Sequence, residues 1–212
     1  ETIATELSAK HRVQAHTVTA DLADPAAVAR LVGEIKTRGL RVDALINNAG
    51  FGVPGAYAST PWEKQRDFLQ VLVTAPCELA HRLLPEMIAR KRGYVINVAS
   101  LAGILPGTAG AALYGASKSF MIQFSRSLHL ETEKHGIHVT AVCPGFTYSE
   151  FHDVTGTREQ VSKMPKYMWM TAEQVAEEGY QAVMRKKAVH VNGTVNKGFA
   201  LLAKYLPDQL GL

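Results

Sequence analysis

The sequence predicts an α/β protein, a parallel sheet with helices on both faces. Two observations carry this prediction. Strand-like apolar runs alternate with helix-length amphipathic segments along the chain. Several of the runs stop abruptly at turn-forming or polar residues, at Asn47-Asn48-Ala49-Gly50, at Ser100 and at Pro144-Gly145, and these stops follow one another at α/β spacing. The length of 212 residues suits one such domain with a full core, and no repeat or linker divides residues 1–212.

Residues 1–10 read as the tail of a helix. Val13 to Ala20 alternates like a strand. Asp24-Pro25 starts a helix, with Asp as cap and Pro in the first turn, and Gly39 ends it after about Arg38. Val42 to Ile46 is a buried strand running into Asn47-Asn48-Ala49-Gly50. Gly52, Pro54 and Gly55 make a loop. Thr60-Pro61 begins a long helix to about Arg90, interrupted by Pro76 and Pro85. Tyr94 to Val98 is a strand, and residues 101–111 form a loop bearing Gly and Pro. Leu113 to about Lys134 is a helix, ended by Gly136. Ile137 to Val142 is a strand, broken by Pro144-Gly145. Residues 150–170 are irregular and rich in Met. Thr171 caps a helix to Arg185. Ala188 to Val191 is a short strand, and Phe199 to Leu206 a short helix.

Composition narrows the function. The chain is 47% hydrophobic and 20% charged, with a mild net charge of +4. The basic clusters Lys91-Arg92 and Arg185-Lys186-Lys187 fall at helix ends, where cations meet the negative end of the dipole. With no basic stripe and no aromatic interleaving, nucleic acid is not the expected partner. Cys77 and Cys143 read as buried thiols of a reducing, cytoplasmic compartment. No apolar run approaches the ~20 residues of a membrane span, and no signal peptide is visible. His129, His135 and His138 lack metal-ligand spacing and read as surface or structural, so no metal site is expected.

Tyr114 and Lys118 lie four apart on one helix face. The spacing alone is weak, because chance supplies roughly 0.4 such pairs in a chain of this composition. Order and context add the weight: strand, Asn-Asn-Ala-Gly, strand, Ser100, then the Tyr/Lys helix. Free tyrosine titrates near ~10. A cation ~4 Å away at an effective dielectric of ~20 is worth ~4 kcal/mol, enough to bring the phenol toward neutral pH. Such a phenol trades protons, and a nearby hydroxyl can hold a carbonyl oxygen. Asn47 and Asn48 have a second reading, as amides that tie neighbouring strands. Met164, Met168, Trp169 and Met170 read either as a lid over an apolar substrate or as a packed satellite core.

At these residues the chain resembles the short-chain dehydrogenase/reductase family. The resemblance implies a Rossmann-like doubly wound sheet and hydride transfer between NAD(P)(H), with NADP(H) favoured, and an alcohol/ketone pair, expected to be apolar. It makes Ser100, Tyr114 and Lys118 the catalytic set, with Tyr114 and Lys118 also touching cofactor. Asp21 and Leu22 would lie against the adenine, and Asn48, Ala49 and Gly50 on the ribose side. Pro144, Gly145, Phe146, Thr147 and Ser149 would hold the nicotinamide amide. The family usually carries Thr where this chain has Ser149.

Two departures are larger. The Gly-rich phosphate turn of the family, with its flanking strands, is not in the chain, so the sequence reads as N-terminally incomplete, its first strand–helix–strand missing. The strands at Val13 and Val42 should then stand ~14 Å apart without pairing. Leu72 occupies the position of a family Asn thought to act through its carbonyl. Pro76 removes the N–H that would pair that carbonyl in a helix. The helices at 61–90 and 113–134 are long and apolar on more than one face, so a homodimer or homotetramer is expected. The resemblance implies a small carbonyl or alcohol substrate. Its alternative is a catalytically impaired cofactor-binding regulator or scaffold. A dehydratase or epimerase would use the same tyrosine and lysine.

Overall fold

In the computed structural model, the structure describes residues 2–203 and 205. Four strands make one parallel sheet: β1 (Ala44–Asn47), β2 (Gly93–Val98), β3 (Ile137–Cys143) and β6 (Val189–Val191), in the order β1-β2-β3-β6. Every ladder is parallel, with Asn47 level with Asn97 and Val142 level with both Val98 and His190. All carboxyl ends therefore open on one edge, where ligands of such sheets bind.

α1 (Thr2–His11) and α2 (Ala27–Thr37) precede β1; α3 (Trp62–Leu69), α4 (Ala75–Arg90), α5 (Ala112–Thr132), α6 (Phe151–Val154), α7 (Arg158–Val161) and α8 (Ala172–Met184) lie in the crossovers, and α9 (Thr194–Ala203) follows β6. Two short strands, β4 (Phe146–Tyr148) and β5 (Trp169–Thr171), pair in parallel beside the main sheet. The segment expected to be irregular thus carries a ladder at its ends. Three-residue strands are too short to show alternation.

Local chemistry sets the boundaries. The Asp24 carboxylate accepts from the Ala26 N–H at 2.9 Å, fixing the turn before α2. Gly39 leaves α2 at φ +64, a conformation cheap only for glycine. Thr171 and Gln174 form a reciprocal capping box on α8. Between α3 and α4 the chain makes a π-turn, Gln70–Thr74. The widened turn meets Pro76, whose missing N–H interrupts the α-helical ladder there. The last helix begins at Thr194, five residues before the expected Phe199, and Leu206 lies outside the described residues.

One core joins α2, α4 and the sheet: Val28, Ala75, Met87, Val95, Ile137 and Val139 are all at most 1% exposed. A second, around Phe68, Val71 and Leu72, gathers Leu22, Phe51, Leu113 and Tyr114 at the open edge.

The expected strand at 13–20 is not formed. Those residues are irregular, and most are exposed. A strand is made by its ladder, and this segment pairs with none of the described strands. The expected lack of pairing with residues 42–47 therefore holds, while the strand itself does not. Among the described strands β1 pairs on one side only, and Ile46, on one of its faces, is 61% exposed.

Candidate active site

The site is assembled at the carboxyl ends of β1, β2 and β3. Ser100 follows β2 in extended backbone, and its hydroxyl accepts from the Ala102 N–H at 3.1 Å, opening a tight turn over residues 101–103. That turn lies directly on α5. A Cβ at Gly103 would stand 2.6 Å from the Lys118 carbonyl carbon and 2.7 Å from the Ser119 nitrogen. Only glycine permits this approach, and the approach sets Ser100 against the helix that carries Tyr114 and Lys118.

The Tyr114 side chain is mostly enclosed. Burial raises its phenol above the ordinary tyrosine value, and the Ser100 hydroxyl, near enough to bond it, pulls it partly back. Lys118 is 8% exposed. Its ammonium donates to the Val98 carbonyl at 2.8 Å and stands 5.8 Å from the centre of the Tyr114 ring. Burial lowers Lys118 to about 8, with the neighbouring Cys143 opposing the shift. The expected lowering of the phenol by Lys118 is corrected here. Desolvation sets the phenol's direction, because the ammonium is itself buried and is directed at a backbone carbonyl.

The Asn-Asn-Ala-Gly turn is anchored from beneath. Asn47 donates to the Asn97 side chain at 2.8 Å, and Asn97 donates to the Ser125 hydroxyl at 2.8 Å. Asn97 is fully buried. Asn47 therefore takes the strand-tying reading, through a relay to α5 that the sequence did not disclose. Asn48, Ala49 and Gly50 are exposed along the rim. The Leu72 side chain lies below Gly50, where an added Cβ would find its Cγ at 3.7 Å.

Across the cleft, Pro144, Gly145, Phe146 and Thr147 follow β3 and are half-buried. The Pro144 carbonyl accepts from the Leu101 N–H at 2.8 Å. A Cβ at Gly145 would meet the buried Asn196 amide at 2.6 Å, so the turn is pressed against α9. Ser149 lies farther out, its hydroxyl accepting from the Phe151 N–H at 3.4 Å. Asp21 and Leu22 divide: the Asp21 carboxylate accepts from the Ala23 N–H at 3.0 Å on the surface, and Leu22 packs into the core.

Over the site lies an aromatic wall. Trp169 stacks on Tyr148 at 4.7 Å and stands 5.4 Å from Phe146 and 5.6 Å from His152. Phe151 reaches Tyr114, ring to ring at 5.9 Å. Trp169 and Met170 sit within β5, and Trp169 Nε1 donates to the Met164 carbonyl at 3.3 Å. These residues build a packed wall. His129 takes a structural place, its Nδ1 within 3.0 Å of the Val139 carbonyl.

Lys118 has three N–H donors, and Val98 takes one. The others suit a diol beside Tyr114, as the ribose of a nicotinamide nucleotide would present, with the exposed Asn48-Ala49-Gly50 turn on one flank.

Comparison with known proteins gives the family and the fold. A sequence model described as "short chain dehydrogenase" matches residues 1–160. The bovine protein named dehydrogenase/reductase SDR family member 7B is 34% identical over 196 residues, covering 88% of this chain and 60% of its own. A short-chain dehydrogenase from Sphingobium yanoikuyae, solved in complex with NADPH, superposes with a TM-score of 0.81 at 27% identity, over 96% of this chain and 78% of the other. A 7beta-hydroxysteroid dehydrogenase structure gives 0.85 at 23% identity, over 98% and 79%, and shows the shared fold. The chain spans about half the length of the curated relatives it matches, between 43% and 60%.

Proposed function

This chain belongs to the short-chain dehydrogenase family, and from that premise we propose that it is an NAD(P)(H)-dependent oxidoreductase acting on an alcohol/ketone pair. The observation that carries the reading is the enclosure of the Tyr114 phenol between the Ser100 hydroxyl and the Lys118 ammonium. A tyrosine phenol is protonated at neutral pH, as a general acid for ketone reduction must be. Tyr114 gives its proton to the carbonyl oxygen, and the Ser100 hydroxyl donates to the same oxygen as charge gathers on it. Lys118 holds ribose hydroxyls and keeps a positive charge beside the phenolate that forms. The bound nicotinamide supplies the hydride. Asn48, Ala49 and Gly50 line the ribose side, Asp21 and Leu22 the adenine, and Pro144 to Thr147 with Ser149 the amide.

The NADPH complex of the Sphingobium protein supports NADP(H). The apolar lining of the cleft supports an apolar, uncharged substrate. Two free thiols support a reducing, cytoplasmic compartment, and the single four-stranded main sheet supports one domain; among the described residues no helix is long and apolar enough to cross a membrane. The exposed Phe120 and Leu130 on α5 support a homodimer or homotetramer. Light scattering at micromolar concentration checks this, and a monomer there counts against it.

The test of the activity is Tyr114→Phe. Turnover of a panel of ketones with NADPH should fall on the order of 10³-fold with binding of NADPH retained. A variant as fast as the parent removes the tyrosine from the chemistry. A cofactor-binding member without turnover is the second reading, favoured by Leu72, whose side chain is packed beneath Gly50. NADPH binding with no oxidation by any ketone would select it.

A further inference from the structure

A small cavity of about 10 Å³, room for about one water, lies between Val53, Tyr57, Gln65, Phe68, Leu113 and Tyr114. Apart from that cavity, Tyr114 is covered by α6. The Phe151 ring leans on Tyr114 at 5.9 Å and 41°. One turn later Thr155 reaches the opposite rim, where a Cβ at Gly52 would stand 2.8 Å from its methyl group. Thr155 is 6% exposed, so the two rims meet in a dry contact.

Phe151 is held from behind. His152, next to it, sits among Phe146 and Trp169. Arg158 donates to Asp153 and to the Ser149 carbonyl, so the cation of this segment is already engaged. Gly156 turns the chain at φ +67 immediately after Thr155. Against the Tyr114 ring stand Phe151 and, at 5.8 Å, the Lys118 ammonium; Val53 and Leu113 share its small cavity, and Arg158 and Asp153 pair with each other on the α6 side.

We propose that Phe151 is the specificity-determining residue of this site: its ring fills the place of the substrate's larger apolar substituent, and a ketone is admitted by displacing it from Tyr114. The substrate class is an uncharged ketone or secondary alcohol bearing a ring or branched apolar group. This rests on the oxidoreductase reading for the chemistry, and on the 114–151 contact for the selection. Displacement exchanges one aromatic contact for another, so a flat apolar group loses least. A carboxylate or phosphate in that place would be desolvated against the Phe151 ring.

The experiment uses Phe151→Ala and Phe151→Leu in the full chain, with cyclohexanone and the bicyclic 1-decalone as probes. Phe151→Ala should raise the ratio of kcat/KM for 1-decalone over cyclohexanone at least ~10-fold, with Phe151→Leu in between. The shift should lie in KM, since Tyr114 and Ser100 are untouched. Binding is read separately in a Trp62→Phe background, where Trp169 is the remaining tryptophan and its emission reports 1-decalone directly. The same order of affinities is expected there. Turnover with an unchanged ratio and unchanged affinities would overturn the assignment of Phe151 alone. An affinity shift with no turnover of any ketone would uphold it and sink the oxidoreductase reading instead. Phe151→Leu keeps an apolar branched side chain, so the comparison survives if Phe151→Ala does not fold.

Discussion

β3 and residues 13–20 invite comparison, because both read as strands and only one is. β3 lies between β2 and β6, and every one of its seven residues is buried. Residues 13–20 pair with no described strand and stay irregular, and Val13 is 52% exposed. β1 stands between these extremes, with one described ladder, and with Ile46 at 61% exposure on one of its faces. The alternation of apolar residues thus offers a strand, and the neighbouring ladder makes it one. The same gradient runs through the site. Its tightly packed half is Ser100, Tyr114 and Lys118 between β2 and α5, and its loose half is the exposed Asn48-Ala49-Gly50 rim.

Breaking the tight half should have the largest effect. Gly103→Ala drives a methyl into the backbone at Lys118 and Ser119, which cannot rotate away. We expect about 3 kcal/mol of lost stability by urea unfolding, with turnover down ~100-fold. Gly33, exposed on α2 with nothing within 4 Å of an added Cβ, is the counterpart. Gly33→Ala should stabilise by roughly 0.5–1 kcal/mol.

Titration sharpens the contrast at intermediate size. Lys118 is about 8 in the fold against an ordinary 10.5. Between these values the unfolded chain binds more protons, so stability rises with pH, by at most about 1.4 kcal/mol per unit. Burial raises Cys143 to about 12 from 9.0, which opposes the rise from about pH 9 upward. Urea unfolding should therefore show a net gain of about 0.6 kcal/mol between pH 8 and 9, then a plateau. Lys118→Met should remove the gain, and ketone reduction with it. A profile flat from pH 7 to 9 in the parent would mean that Lys118 is not desolvated.

The smallest effect belongs to the open side of β1. Ile46→Lys should change stability by less than ~0.5 kcal/mol while lowering self-association, because a lysine blunts an exposed edge. A loss of several kcal/mol there would show that the edge is covered in solution.

Much of this was legible because the signals were local. Strands 93–98 and 137–143, the Tyr114/Lys118 helix and the Thr171 cap each announce themselves within a few residues. What escaped depends on contacts distant in sequence. The Asn47–Asn97–Ser125 relay joins three elements. The direction of the Lys118 ammonium is set by a carbonyl twenty residues away. The β4–β5 ladder pairs two tripeptides too short for any pattern. Phe151 stood inside a stretch read only as irregular, and nothing in its neighbours' identities tells that it reaches Tyr114.

That two-stranded ladder has a consequence for how the protein can diversify. β4 and β5 clasp the two ends of residues 149–168, and β5 runs directly into the capping box of α8. The clasp is main chain, so it is indifferent to what the enclosed residues are. Insertions, deletions or wholesale exchange of the segment would alter what covers Tyr114 while Ser100, Tyr114 and Lys118 keep their places. The segment has the architecture of a replaceable cassette, with selectivity evolvable apart from chemistry.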